Sequence, residues 1–188
     1  MAERDIPFGR PMLDSTEIDA VTKVLSGPML VHGKVTHDFE EKFAERIGVA
    51  HAISVSNCTA GLHLLLFANG IGPGDEVIVP AMTHVATAHA AEFCGATPVF
   101  VDVEPDTGNM DPDAVAAAIT ANTRAILAVH YLGLPCEMDV LGAHANGAGA
   151  LLFEDCALAV DAYFGARKAG GLALGGSFSF YPVKHMTT

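Results

Sequence analysis

The sequence has 188 residues, of which 51% are hydrophobic and 17% are charged. It is long and apolar enough for one well-buried globular domain containing a sheet covered on both faces. The formal net charge is −12, from 22 acidic and 10 basic residues, and no basic run is present. That balance argues against nucleic acids and anionic membranes as partners. An anionic small molecule stays compatible, because helix N-termini bind phosphate without net positive charge.

The cysteines indicate a reducing environment rather than a metal or redox centre. None of the four forms a C-x-x-C pair, so we expect neither a zinc site nor a dithiol motif. Cys58, Cys94, Cys136 and Cys156 lie in apolar neighbourhoods, which predicts buried, reduced thiols and a cytoplasmic protein. Residues 1–8 lack the apolar core of a signal peptide, and no apolar stretch is long enough to span a bilayer.

The sequence pattern over residues 1–48 predicts an irregular stretch followed by two amphipathic helices. Residues 1–12 carry no periodic pattern. Cap residues beginning at Asp14 precede a helical apolar pattern over 18–25. A second helix is predicted over 36–47, ended by Gly48.

From residue 52 onward, predicted strands and helices alternate. The strands are expected over 52–55, 76–79, 98–101, 124–129, 150–153 and 177–180, and the helices over 60–69, 83–93, 112–119 and 137–146. Because the strands are continuously apolar, this order predicts an α/β fold with a mostly parallel sheet and helices on both faces. We expect residues 1–188 to form one domain.

Chemically reactive residues follow the ends of several predicted strands. Ligands of open parallel sheets bind beyond the carboxyl ends of the strands, so these residues are expected to share one edge. They are Asn57, Cys58, Thr59, Thr83, His84, His130, Asp155, Ser179 and Lys184.

Two of these positions suit a phosphorylated aldehyde. Lys184 follows an apolar strand, where lost solvation favours the neutral amine, a nucleophile that forms a Schiff base with an aldehyde. The ordinary alternative is a surface lysine that caps a strand. Small and polar residues over 56–61 open a helix whose N–H groups and dipole suit a phosphate. The alternative there is a simple N-cap.

Two further positions suit a flat, protonated ring. Asp155 is a carboxylate at an apolar strand end and needs a partner, which is a protonated ring nitrogen, a salt bridge or a cap. His84 either stacks on a ring, acts as an acid or base, or caps a helix. Its spacing to His89 is not that of a metalloprotease, and no metal site is predicted. Together these groups match the needs of pyridoxal 5'-phosphate (PLP), a lysine Schiff base with an acidic partner for the ring nitrogen.

The motifs in this order resemble the DegT/DnrJ/EryC1/StrS family of PLP-dependent aminotransferases that act on nucleotide-linked keto sugars. The matching segments are Gly33, 39–40, 56–60, 72–80, 83–88, 95–103, 129–130, 154–157 and 178–184.

The resemblance implies a role for each site residue and an overall reaction. Lys184 matches the lysine that forms the PLP aldimine, Asp155 the partner of the pyridine nitrogen, Thr59, Ala60 and Ser179 the phosphate contacts, Cys58 a phosphate-loop position and His84 the residue that stacks on the ring. It also implies a fold-type I large domain and a homodimer with active sites at its interface. The implied reaction transfers an amino group, usually from glutamate, to a sugar ketone in polysaccharide or antibiotic sugar biosynthesis.

Three features depart from the family pattern. Cys58 stands where glycine is usual, and Leu158 stands where glutamine, or histidine in dehydrating members, is usual. A leucine cannot donate a hydrogen bond to the ring hydroxyl. The chain ends four residues after Lys184, where the family continues, so we expect an incomplete large domain without the small C-terminal domain.

Three other interpretations stay open. A sugar dehydratase would share the fold, although dehydratases of this group carry histidine in place of the lysine at 184. A non-catalytic remnant or interaction module would keep the fold without the reaction. An NAD-binding domain is disfavoured, because no G-x-G-x-x-G follows the first strand.

Overall fold

The computed structural model describes residues 11–187, which belong to two compact units. The first unit includes residues 11–54 and 180–187, and the second is Val55–Ser179. The irregular stretch predicted over 1–12 lies almost entirely outside the described residues. Among the residues that are described, no helix has the length and apolar character needed to cross a bilayer.

The first unit contains the two predicted helices. They are α1, Ser15–Leu25, and α2, Lys34–Ile47. A capping box fixes the start of α1, because Asp14 accepts from the Thr16 amide at 2.7 Å and Glu17 accepts from the Asp14 amide at 2.8 Å. Gly48 ends α2 with φ 87°, a left-handed conformation that glycine adopts without strain.

An aromatic cluster holds the last residues of the chain within this unit. The Phe180 ring meets Phe39 and Phe43 of α2 edge-on, with centroid distances of 5.3 and 5.4 Å. Edge-to-face pairs of this kind stabilise packing beyond the area they bury. The segment that carries Lys184 is therefore attached to α2.

The strand predicted over 52–55 is wrong. Within residues 11–187, residues 51–55 have no strand partner, and the Ser54 amide donates instead to the Glu40 carboxylate at 2.7 Å. The Ile53 side chain is 80% exposed. A short β-branched run has strand propensity, but it forms a strand only beside a neighbouring strand, and here a side chain pairs with the Ser54 amide instead.

The second unit is built on a parallel sheet, as predicted. Its strands are β1, Glu76–Pro80, β2, Thr97–Val101, β3, Thr123–Val129, β4, Leu151–Asp155, β5, Tyr163–Phe164, β6, Arg167–Lys168, and β7, Gly176–Ser177. Five of them form one sheet in the order β2-β1-β3-β4-β7, and every neighbouring pair is parallel. The antiparallel β5–β6 hairpin was not predicted, because two-residue strands are too short to show alternation. The last strand is shorter than the predicted 177–180.

Helices cover both faces of this sheet. They are α3, Cys58–Ala68, α4, Val85–Phe93, α5, Pro112–Ala118, and α6, Met138–Ala148. Phe153 packs in the core with α3 and α4, whereas Leu152 packs in the core with α5 and α6. Because strand side chains alternate, Asp155 points to the α3–α4 face and Glu154 to the α5–α6 face.

Candidate active site

The N-terminus of α3 is open at the carboxyl edge of the sheet. Asn57 caps the helix, with its side-chain oxygen accepting from the Ala60 amide at 2.9 Å. The Thr59 amide has no hydrogen-bond acceptor within residues 11–187. The cap anticipated from the sequence is therefore real, and it leaves a first-turn donor available to an anion.

The end of β7 is joined to the start of α3. The Ser177 hydroxyl donates to the Cys58 carbonyl at 2.9 Å, and the Cys58 thiol lies 3.5 Å from the Ser177 carbonyl oxygen. A Cβ at Gly61 would lie 2.3 Å from the Ser177 Oγ, so only glycine permits this approach. The sequence did not reveal this role of Gly61, because the close neighbour is more than a hundred residues away in the chain.

Asp155 is a buried carboxylate with defined donors. It is the last residue of β4 and is 4% exposed. Its Oδ2 accepts from the Thr87 hydroxyl at 2.9 Å, and its Oδ1 accepts from the Ala157 amide at 3.1 Å. The Cys58 Sγ lies 4.0 Å from the same Oδ1. The structure thus brings Asp155 and the start of α3 together, as predicted.

His84 caps a helix, one of the alternatives left by the sequence. It is the N-cap residue of α4, and its Nδ1 accepts from the Ala86 amide at 3.2 Å. Because Nδ1 accepts, the proton of the neutral ring is assigned to Nε2. The His84 side chain is exposed next to the helix that also carries Thr87.

Ser179 and Lys184 belong to different units. Ser179 is buried at the end of the second unit. Lys184 lies in the first unit, where its amide donates to the Tyr181 carbonyl at 2.8 Å and its side chain is half-buried. A shared edge for Lys184 and Asp155 stays a prediction.

His130 lies on the opposite face of the sheet from Asp155. Its Nδ1 accepts from the Cys136 amide at 3.2 Å, which assigns the ring proton to Nε2. Nε2 then donates to Glu154 at 2.9 Å, and both side chains are fully buried. The Glu154 carboxylate also accepts three backbone amides, from Gly170, Leu172 and Ala173, at 2.7 to 2.9 Å. Together Glu154 and its four donors form the Glu154 clamp.

The Glu154 clamp resembles a metal site only in its residue types. His130, Glu154 and Cys156 offer ligand atoms within 4.8 Å of one another, among the residues that were searched. Each Glu154 oxygen already accepts two donors. Burial, reinforced by the charges of Glu154 and Asp155, raises the pKa of the Cys156 thiol well above its usual range, whereas a metal ligand must be a thiolate. The chemistry of this cluster therefore does not fit a metal.

Comparison with known proteins decides the family. The sequence model of the DegT/DnrJ/EryC1/StrS aminotransferase family matches residues 11–188. The chain belongs to this family. A similar curated protein is the spore coat polysaccharide biosynthesis protein SpsC of Bacillus subtilis (strain 168). It is 40% identical over 183 residues, which is 97% of this chain and 47% of SpsC.

Solved structures of aminotransferases share the fold. An aminotransferase from Psychrobacter cryohalolentis is 39% identical, with a TM-score of 0.93 over 95% of this chain and 46% of its own. The PLP form of Spr1654, a candidate sugar aminotransferase from Streptococcus pneumoniae, is 32% identical, with a TM-score of 0.94 over 98% of this chain and 51% of its own. The predicted fold-type I aminotransferase fold is confirmed, and the chain spans about half the length of these relatives.

The aminotransferases of this family depend on pyridoxal phosphate, and Spr1654 has been solved in both PLP and PMP forms. The residues present in this chain fit that group. An open helix N-terminus and a buried carboxylate lie on one face at one sheet edge, with the thiol of Cys58 4.0 Å from the carboxylate of Asp155. A cysteine fits at position 58, where the family usually has glycine, because its thiol packs against β7.

Leu158, the second departure, is half-buried, and its backbone oxygen closely faces Gly133. A Cβ at Gly133 would lie 2.8 Å from that oxygen. The Leu158 side chain still offers no hydrogen-bond donor.

Proposed function

We propose that this chain forms the cofactor-binding part of an aminotransferase that transfers an amino group from glutamate to the ketone of a nucleotide-linked sugar. The observation that carries the proposal is the buried carboxylate of Asp155 beside the open N-terminus of α3. Membership of the family supports the reaction class. The similarity to a polysaccharide biosynthesis protein and to a candidate sugar aminotransferase supports a sugar substrate.

Asp155 holds the proton on the ring nitrogen of the cofactor. Bound PLP supplies an electron-accepting ring that stabilises negative charge at the Cα of the attached amino acid. Asp155 is suited to this task because an ionised carboxylate only accepts hydrogen bonds, and its interactions are strong in a buried setting.

The start of α3 binds the phosphate. The open Thr59 amide and the helix dipole provide local positive potential, so the net charge of −12 does not oppose phosphate binding. Of the two predicted backbone donors, Thr59 is the stronger candidate, because the Ala60 amide already donates to Asn57. Cys58 begins the same turn, and the buried Ser179 is proposed as a further phosphate contact.

Lys184 supplies the amine that holds the cofactor aldehyde. With the substrate amine in its place on the cofactor, the free Lys184 amine would move a proton between the substrate Cα and the cofactor carbon. Family dehydratases carry histidine at this position, so Lys184 favours transamination. His84 stacks on the ring, with its orientation fixed by the Ala86 amide. We propose in addition that the protein is a cytoplasmic homodimer.

The test is a visible absorption spectrum of the purified chain with PLP, beside Lys184→Ala and the control Lys23→Ala. Lys23 is exposed in the last turn of α1. We expect a borohydride-fixable band in the wild-type chain and the control but not in Lys184→Ala, with the label on the peptide that contains Lys184. Glutamate should then release 2-oxoglutarate, detected by mass spectrometry.

Circular dichroism of the same samples reports folding. A folded wild-type chain without a Lys184-dependent band would contradict a cofactor site in this chain. A band that glutamate does not discharge would contradict transamination and leave cofactor binding standing.

A further inference from the structure

Two threonine hydroxyls form a chain that ends on Asp155. Thr87 lies in α4 with 0% of its surface exposed, and Thr83 lies one turn earlier, just before the helix. The Thr87 Oγ1 is 2.9 Å from the Asp155 Oδ2, and the Thr83 Oγ1 is 2.8 Å from the Thr87 Oγ1. Thr87 lies in the matching segment 83–88, but no role was predicted for it.

Counting protons fixes the direction of these hydrogen bonds. A hydroxyl has one proton to donate, and an ionised carboxylate has none. Thr87 must donate to Asp155, and Thr83 must therefore donate to Thr87. Both dipoles point at the carboxylate, and in a buried setting such a chain strengthens each of its hydrogen bonds.

The hydroxyl chain fixes an orientation that β4 alone does not. The Ala157 amide holds Oδ1 from the turn that directly follows the strand. Thr87 holds Oδ2 from α4, a separate element, 68 residues away in the chain. Held at both oxygens, the carboxylate cannot rotate freely about the bond to its Cβ, so it keeps one orientation.

We propose that Thr87, supported by Thr83, is a positioning residue that aims the Asp155 carboxylate at the ring nitrogen of the cofactor. The inference rests on the proposed role of Asp155 in cofactor binding. Without the Thr87 hydroxyl, the Asp155 carboxylate is no longer oriented before the cofactor binds. The free energy needed to order it then reduces the affinity for the cofactor.

The experiment compares the affinity of the full chain for PLP and for the analogue in which C–H replaces the ring nitrogen. Thr87→Val keeps the shape of the side chain and removes the donor, whereas Thr87→Ser keeps the donor. We expect Thr87→Val to weaken PLP binding about 3- to 10-fold, the range set by ordering one side chain. Binding of the analogue, which offers Asp155 no ring nitrogen, should change less than about twofold, and Thr87→Ser should restore PLP binding.

Thr123→Val is the matched control. Thr123 is also a buried threonine, 1% exposed, and its Oγ1 accepts from the Thr120 amide at 2.9 Å at the start of β3. It lies at the opposite end of the strands from Asp155. We expect Thr123→Val to bind PLP and the analogue like the wild-type chain.

Three results would overturn the inference: unchanged PLP binding in Thr87→Val, equal weakening for PLP and the analogue, or a serine variant as weak as the valine variant. If circular dichroism shows that Thr87→Val does not fold, Thr83→Val decides. It should weaken PLP binding about 2-fold and spare the analogue, and no change would overturn the inference. Wild-type chain that binds neither compound would contradict the proposed function, and the inference with it, which is a different result from those above.

Discussion

Glu154 and Asp155 are consecutive residues at the end of β4, with 0% and 4% of their surfaces exposed. Glu154 points to the α5–α6 face, where His130 and three backbone amides occupy both carboxylate oxygens. Asp155 points to the α3–α4 face, where the Thr87 hydroxyl and the Ala157 amide hold it beside an open helix N-terminus. One carboxylate is enclosed by the fold and the other is presented at its edge. The difference predicts that the first governs stability and the second governs ligand binding.

The largest contrast is expected in thiol reactivity on the two faces. Burial raises the pKa of Cys136, on the Glu154 side, to about 12. Cys58, on the Asp155 side, is only partly buried. Because the thiolate is the nucleophile, we expect iodoacetamide at pH 8 to modify Cys58 at least about a hundred times faster than Cys136.

Mass spectrometry of tryptic peptides over time measures both rates. Added PLP should slow the modification of Cys58 and leave Cys136 unchanged. Equal rates for the two thiols would mean that the faces do not differ in access.

The second-largest effect is expected for Glu154→Gln, which should lower the stability of the fold. The amide group of glutamine would face N–H donors in place of a carboxylate oxygen, and a buried charged partner would be lost. We expect the free energy of unfolding to fall by about 3 kcal/mol, measured by urea titration with circular dichroism.

Glu137→Gln is the control for Glu154→Gln. Glu137 is exposed before α6 and makes no side-chain cap hydrogen bond. We expect its effect to stay within about 0.5 kcal/mol. A Glu154→Gln variant as stable as this control would show that the clamp does not hold the fold.

Asp155→Asn should give the reverse pattern. The asparagine oxygen can still accept from Thr87 or Ala157, so we expect stability to change by less than about 1 kcal/mol. Affinity for PLP should fall by about 10-fold or more, because a charged hydrogen bond to the ring nitrogen is lost. Equilibrium dialysis and urea titration on the same sample measure both quantities. A stability loss as large as that of Glu154→Gln would remove the contrast between the two carboxylates.

The smallest effect is a loss of folding stability at alkaline pH, caused by the Cys136 thiol on the Glu154 side. The pKa of Cys136 is raised in the folded chain, so the folded state holds this proton more tightly than the unfolded state. Its contribution to stability is complete below the unfolded pKa near 9 and is lost as pH rises toward 12. Between pH 8 and pH 10, the free energy of unfolding should fall by about 1 kcal/mol more in the wild-type chain than in Cys136→Ala. Parallel pH profiles for the two chains would contradict this.

The sequence predicted most of the fold because its signals are local. Cap residues such as Asp14, glycine stops such as Gly48 and continuously apolar strands act over a few residues, and the structure confirms the elements they indicate. The strand predicted over 52–55 failed because strand formation depends on a partner that a local pattern does not contain.

The positions of some candidate residues at strand and helix ends were predictable, but their contacts were not. Strand ends identified Asp155 and a helix start identified Cys58 and Thr59. The hydrogen bond of Thr87 to Asp155 and the approach of Gly61 to Ser177 join residues far apart in the chain, and a periodic pattern carries no distance of that kind. No role was predicted for Glu154, and its three backbone donors come from a loop without a sequence signature.

The Glu154 clamp also affects the register in which β4 pairs with β3. β4 pairs with β3 in a register that sets Ala128 beside Glu154 and Val129 beside Asp155. A slip of one residue would exchange the faces of the two carboxylates and send the longer one to the α3–α4 side. In that arrangement the amides of the 170–173 loop would face the Asp155 carboxylate, whose side chain is one methylene shorter than that of Glu154. The clamp therefore stabilises the native strand register over the slipped one, because the four hydrogen bonds of Glu154 form only in the native register.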